Sequence, residues 1–90
     1  MRTPSYAGQF TRDVKLAKKR KKDLSKLRTL LGFLIEGKNL PAVYLDHPLK
    51  GDWAGYRDAH LEPDWVLIYK ITGDEVRFVR TGRHTDLFGE

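Results

Sequence analysis

The chain contains no cysteine, which excludes a disulfide framework and any thiolate metal site and leaves the stability of a small domain to packing. It also lacks a long apolar run. No stretch approaches the roughly 18 consecutive apolar residues that cross a bilayer, and the N-terminus has no apolar segment of the secretory kind. The expected compartment is therefore the cytoplasm, with no membrane as partner. Acidic residues are scarce in the first part of the chain. Residues 1–38 hold eleven Lys/Arg and three Asp/Glu, a net of +8, whereas residues 39–90 hold six and nine, a net of −3; together they give the +5 of the whole. Such asymmetry points to a half that faces a polyanion joined to a more neutral half.

What is present suffices for one globule. Ninety residues with 40% apolar content, four Phe, four Tyr and two Trp make a single domain over residues 1–90, too short to divide its core in two. A short strand is expected at Tyr6–Phe10. Phe10, Val14 and Ala17 then recur at helical spacing, predicting a first helix over Thr11–Lys22. Asp23 suits a helix N-cap, and Leu24, Leu27, Leu30, Leu31, Leu34 and Ile35 form a second apolar stripe that stops at Gly37. Lys38 to Asp52 reads as a loop. From Trp53 the period changes to two, and Trp53–Leu61, Trp65–Ile71 and Glu75–Thr81 read as three antiparallel strands joined by Glu62-Pro63-Asp64 and Thr72-Gly73-Asp74. Val66, Ile68, Val76 and Phe78 are the expected apolar sheet face under the leucine stripe. The fold class is α+β, two N-terminal helices packed on a small, mainly antiparallel sheet.

Two groups of residues point to chemistry. The run Lys18-Lys19-Arg20-Lys21-Lys22 is a solvated helix end or a phosphate-contact patch, and both readings can hold at once. The histidines His47, His60 and His84 have no short mutual spacing, so no metal and no cofactor is expected. His60 ends one strand and Asp64-Trp65 opens the next; Arg80 and His84 follow the third strand, which an antiparallel ladder returns to the same end. Imidazoles that titrate near neutrality can transfer protons, a guanidinium can stabilise a phosphorane, and the Trp65 and Phe88 planes can stack an unpaired base. These are the needs of RNA cleavage without a metal. A non-catalytic nucleic-acid-binding module, a metal-dependent hydrolase and a structural partner protein are the competing classes.

The segments Pro41-Ala42-Val43-Tyr44, Asp46-His47-Pro48-Leu49, Gly51-Asp52-Trp53, Gly55-Tyr56-Arg57-Asp58-Ala59-His60, Glu62-Pro63-Asp64-Trp65, Tyr69-Lys70, Arg80-Thr81-Gly82, His84 and Leu87-Phe88 resemble the YafQ group of the RelE superfamily of bacterial toxins. The resemblance runs from about Phe10 to Phe88. It implies a RelE-like fold and an endoribonuclease that cuts messenger RNA on the ribosome. It also implies a cognate antitoxin as partner, with the toxin a monomer when free and part of a hetero-oligomer when neutralised. The positions that match the group's active-site pattern are His47, His60, Asp64, Trp65, Arg80, His84 and Phe88. Taken with the chemistry above, His84 and His60 are the leading proton-transfer candidates, and Asp64 orients an imidazole or serves as the alternative base. His47 is a third proton-transfer group or a phosphate contact, and Arg80 the transition-state cation. Trp65 and Phe88 are base or positioning contacts, and Lys18, Lys19, Lys21 and Lys22 contact RNA phosphates.

Overall fold

A computed structural model describes residues 1–89. Five strands, β1 (Thr3–Tyr6), β2 (His47–Pro48), β3 (Arg57–Glu62), β4 (Trp65–Thr72) and β5 (Glu75–Gly82), form one sheet in the order β1-β5-β4-β3-β2. Helices α1 (Gly8–Lys19) and α2 (Leu24–Glu36) lie between β1 and β2 in the chain, and a short α3 (His84–Phe88) follows β5. The β2–β3, β3–β4 and β4–β5 pairs are antiparallel. The opening strand β1 pairs with β5 in parallel, from Thr3↔Glu75 to Tyr6↔Phe78, and the strand not expected is β2, which lies in the stretch read as a loop.

The helix signals act as expected at α2. The Asp23 carboxylate accepts from the Ser25 N–H at 3.0 Å, and Gly37 closes the helix in a left-handed conformation (φ 75°) that disfavours a Cβ. The opening segment differs. The strand ends at Tyr6, the Ala7 N–H donates to the Phe78 carbonyl, and α1 starts three residues before the expected Thr11. Phe10 is thus a helix residue, its ring 5.8 Å from that of Phe78. The basic run starts in the last turn of α1 and continues into the turn before α2, where Lys21 itself takes a positive φ of 60°.

The sheet parity also needs correction. Leu27, Leu30 and Leu34 of α2 and Phe10 and Ala17 of α1 pack with Trp65, Leu67, Tyr69, Val76 and Phe78. Val66 and Ile68 instead lie on the other face with Leu87, Leu49, Trp53 and Phe88. The cause is register. Tyr69 opposes Phe78 and Ile71 opposes Val76, so odd positions of β4 share a face with even positions of β5. A bulge between Ile68 and Tyr69 then sets Arg80 opposite Ile68. Both faces of β4 are covered, which is why Trp65 to Tyr69 are all buried and show no alternation.

Candidate active site

The face away from the two long helices gathers the histidines. His47 pairs with Asp58 across β2–β3, Asp58 with Ile68, and His60 with Val66 across β3–β4, so His47, Asp58 and His60 share the face that carries Val66 and Ile68. His84 reaches the same place from the first residue of α3. The rings form a row, with His47 and His60 centroids 6.1 Å apart, His60 and His84 stacked at 5.8 Å, and Phe88 next at 5.1 Å from His84. Phe88 is continued by Trp53 at 6.3 Å and Trp53 by Tyr56 at 5.5 Å, both edge-on. A partly exposed aromatic wall therefore stands at one end of the imidazole row.

Behind the row lies Asp58, only 1% exposed. His47 Nε2 sits 2.8 Å from its Oδ1, close enough for an ion contact but without hydrogen-bond alignment. His47 Nδ1 lies 3.1 Å from the Pro48 carbonyl. Both ring nitrogens thus face oxygens. Burial pushes the Asp58 carboxyl above the usual carboxylate range, while His47, His60 and His84 pull it back down. His60 Nδ1 is buried with no hydrogen-bond partner among the described residues. Asp58 was not among the sequence candidates, although the Asp58-Ala59-His60 spacing on a strand places both polar side chains on one face.

His47 is held by its neighbour. The Asp46 carboxylate accepts from Arg57 Nε (3.3 Å) and Nη2 (2.7 Å) and from the hydroxyl of the buried Tyr69. This clamp ties the loop to the sheet one residue before His47. It also pushes the Arg57 guanidinium upward, chiefly through its bonds to Asp46, and burial raises the Tyr69 phenol.

The remaining candidates are placed differently from the expectation. Asp64 is exposed and its Oδ1 accepts from the His84 backbone N–H at 3.3 Å, which anchors the start of α3 to the β3–β4 turn and leaves no contact to an imidazole. Trp65 is 1% exposed and donates through Nε1 to Thr81 Oγ1 at 3.0 Å; its face belongs to the core and is closed to a base. Arg80 turns toward α1, where its Nε meets Asp13 Oδ2 at 2.7 Å, so it does not join the imidazole row. Asp13, 7% exposed, also accepts from the Thr81 backbone N–H at 3.1 Å. Within the basic run, Lys18, Lys19 and Lys21 are exposed. Lys22 is engaged, 3.0 Å from Glu62 and above the Trp65 ring. Among the described residues no helix is long and apolar enough to cross a membrane.

Comparison with known proteins gives one consistent result. A family model described as the bacterial toxin of type II toxin–antitoxin systems, YafQ, matches residues 2–89. The mRNA interferase toxin YafQ of Escherichia coli K12 is 61% identical over 85 residues, spanning 93% of this chain and 92% of that protein. The crystal structure of the E. coli DinJ–YafQ complex contains a chain that superposes with a TM-score of 0.93 at 59% identity, over 99% of this chain and 100% of that one. A metal-bound toxin from Helicobacter pylori superposes with a TM-score of 0.91 at 37% identity, over 98% and 100% of the two chains.

Proposed function

Since this chain belongs to the YafQ family of bacterial toxins from type II toxin–antitoxin systems, we propose that it is an endoribonuclease that cuts messenger RNA on the ribosome, in the cytoplasm, without a metal ion. Its partner is a cognate antitoxin, as DinJ is for the E. coli relative. The observation that carries the chemistry is the row of three imidazoles backed by one buried carboxylate.

In the proposed reaction one imidazole takes the proton of a ribose 2′-hydroxyl. The 2′-oxygen attacks the adjacent phosphorus, the P–O5′ bond breaks, and a protonated imidazole delivers a proton to the departing 5′-oxygen. The products are a 2′,3′-cyclic phosphate and a 5′-hydroxyl, so atoms and charge balance without a water or metal-bound hydroxide in the first step. Stacked His60 and His84 suit the two proton transfers. His47, flanked by oxygens at both nitrogens, suits the role of a cation toward phosphate or of the acid. Asp58 balances the charge that accumulates on the imidazoles, and Asp64 fixes where His84 begins. Phe88, with Trp53 beside it, offers the plane for an unpaired base. Arg80 supplies positive charge to the substrate's phosphates from the neighbouring side of β5.

The absence of thiols and of any short histidine pair supports metal independence. The experiment is cleavage of ribosome-bound messenger RNA by the wild-type protein and by His84→Ala, with and without EDTA and with the RNA and ribosomal substrate kept intact by other means, followed by analysis of product ends. The expected result is a loss of about 100-fold or more in the variant with its fold retained, no effect of chelation, and 2′,3′-cyclic or 3′-phosphate ends. Products with 3′-hydroxyl ends, or loss of activity on chelation, would place the reaction with a metal-activated water. Full activity of folded His84→Ala would remove His84 from the proton transfers.

A further inference from the structure

On the α1 side of the end of β5, a cavity of about 250 Å³ is bounded by Arg20, Lys22, Arg80 and Arg83 together with Asp13 and Asp86. Lys22 is offset by Glu62 at 3.0 Å, which leaves three guanidiniums against two carboxylates. The carboxylates hold those guanidiniums without exhausting them. Arg80 gives Nε and Nη2 to Asp13, Arg20 gives Nη1 to Asp86 at 2.9 Å, and Arg83 gives Nε to Asp86 at 3.4 Å. At least one nitrogen of each arginine is left without a partner among the described residues. Asp13 is itself saturated, since it also accepts from the Thr81 N–H and from Gln9 Nε2. Its guanidinium partner is therefore fixed in direction before any ligand arrives.

The cavity and the imidazole row are joined by consecutive residues, on opposite sides of the end of β5. Arg83 lines the cavity and His84, the next residue, stacks on His60. A strand laid across the junction of β5 and α3 thus meets imidazoles on one side and arginine forks on the other. We propose that the cavity is a second phosphate subsite, which takes the backbone phosphate next to the one that is cleaved. It rests on the RNA-cleaving reading above and specifies how substrate is gripped. Arg83 binds this flanking phosphate through Nη1 and Nη2 and Arg80 adds Nη1, and the scissile phosphate is left to the histidines. The exposed Lys18, Lys19 and Lys21 extend the positive surface from Arg20 outward.

The test uses two non-cleavable probes, a deoxydinucleotide with one internucleotide phosphate and the matching trinucleotide with two. Binding is followed by NMR at the Gly82 amide, the arginine Nε–H groups and the imidazoles of His60 and His84. The trinucleotide is expected to shift both sets of signals and to bind more tightly than the dinucleotide. In Arg83→Gln that advantage should fall by about fivefold, with a salt slope smaller by about 0.7. In Asp86→Asn it should grow, because a negative charge leaves the cavity while the amide oxygen can still accept from the Arg83 N–H. A purely structural ion cluster would instead leave the ratio between the two probes unchanged in both variants, and this result overturns the subsite. Shifts confined to the histidines overturn it too and leave the RNA reading standing. No response at any of these groups overturns the subsite as well, while the RNA reading is then decided by the His84→Ala cleavage experiment. If the two variants alter antitoxin affinity and leave the trinucleotide untouched, the cavity is a protein contact and the subsite is wrong.

Discussion

Asp58 is a carboxylate kept out of water for the sake of the groups in front of it. Burial raises its pKa, so the folded protein holds this proton more tightly than the unfolded chain does. The stability that comes from such a group is complete below the ordinary aspartate value of 3.8, and is lost as pH rises through the raised folded value. At neutral pH the ionised form is therefore a cost, offset in part by the imidazoles. Asp58→Asn should keep or raise the melting temperature at pH 7 while lowering the cleavage rate by about 10- to 100-fold. Thermal melts and single-turnover cleavage on the same preparation decide it; a lower melting temperature at pH 7 with unchanged turnover would show a structural carboxylate and no electrostatic one. At this scale the sequence was only partly informative. Histidines attract notice by type, and all three meet in the row. Asp58 and Asp64 are the same residue type in the same stretch, and only the strand ladder separates the one that faces imidazoles from the one that holds a backbone N–H. Trp65 shows the converse: an aromatic in a matching motif reads as a stacking plane until burial shows its face covered.

Glu62 joins elements. At the end of β3 it accepts from Lys22 and Lys26 at 3.0 Å each, and so ties the α1–α2 turn and the first turn of α2 to the β3–β4 hairpin. The Lys26 and Lys22 hydrogen bonds lower its pKa below the usual 4.5. A depressed carboxylate contributes stability that is fully present above its unfolded value and is lost as pH falls through the folded one. Glu62→Gln should therefore cost about 1 kcal/mol near pH 7, a small figure because all three side chains are partly exposed. The difference from wild type should close as pH drops below about 4.5. Denaturant titrations at pH 7 and pH 3 measure it; a gap that persists unchanged at pH 3 would mean that packing, and no ion pair, is lost. Element types were largely legible, because caps and stripes act locally. The face of β4 was misassigned because its run of buried residues has no alternation. The two-residue Gly73-Asp74 turn held the missing information: it makes Tyr69 and Phe78 partners, and so puts Trp65 and Leu67 under the helices. Two features had weak local signals. β1 is four residues long and pairs with a strand far away in sequence, and α3 is five residues long, marked only by Asp86 three residues after Arg83 and by Gly89 beyond its end.

Across the molecule, one sheet separates two tasks. The helical face carries most of the core, and the other carries the imidazole row over a smaller apolar cluster. The basic run lies on the helical side, so docking and chemistry should be separable. Lys18, Lys19 and Lys21, changed together to Gln, should weaken ribosome association and reduce its salt slope by about two, with cleavage largely restored at saturating ribosome. Lys22 is left in place because its loss would also disturb Glu62 and the cover of Trp65. A salt titration of binding beside single-turnover cleavage checks this, and an unchanged slope would reduce the run to a solvated helix end.

The parallel pairing of β1 with β5 also orders events in time. Ser5 meets Arg77 across 72 residues, and Asp13 meets Arg80 across 67, so β1 and α1 can finish their structure only against a strand made much later. At about 5–20 residues per second a growing chain spends several seconds without its fifth strand. During that interval His84 has not been made, the sheet has no edge for β1, and Asp13 lacks Arg80 and the Thr81 N–H. A protein with the proposed activity thus has neither its histidine row nor the complete sheet that holds it until β5 and His84 have been made.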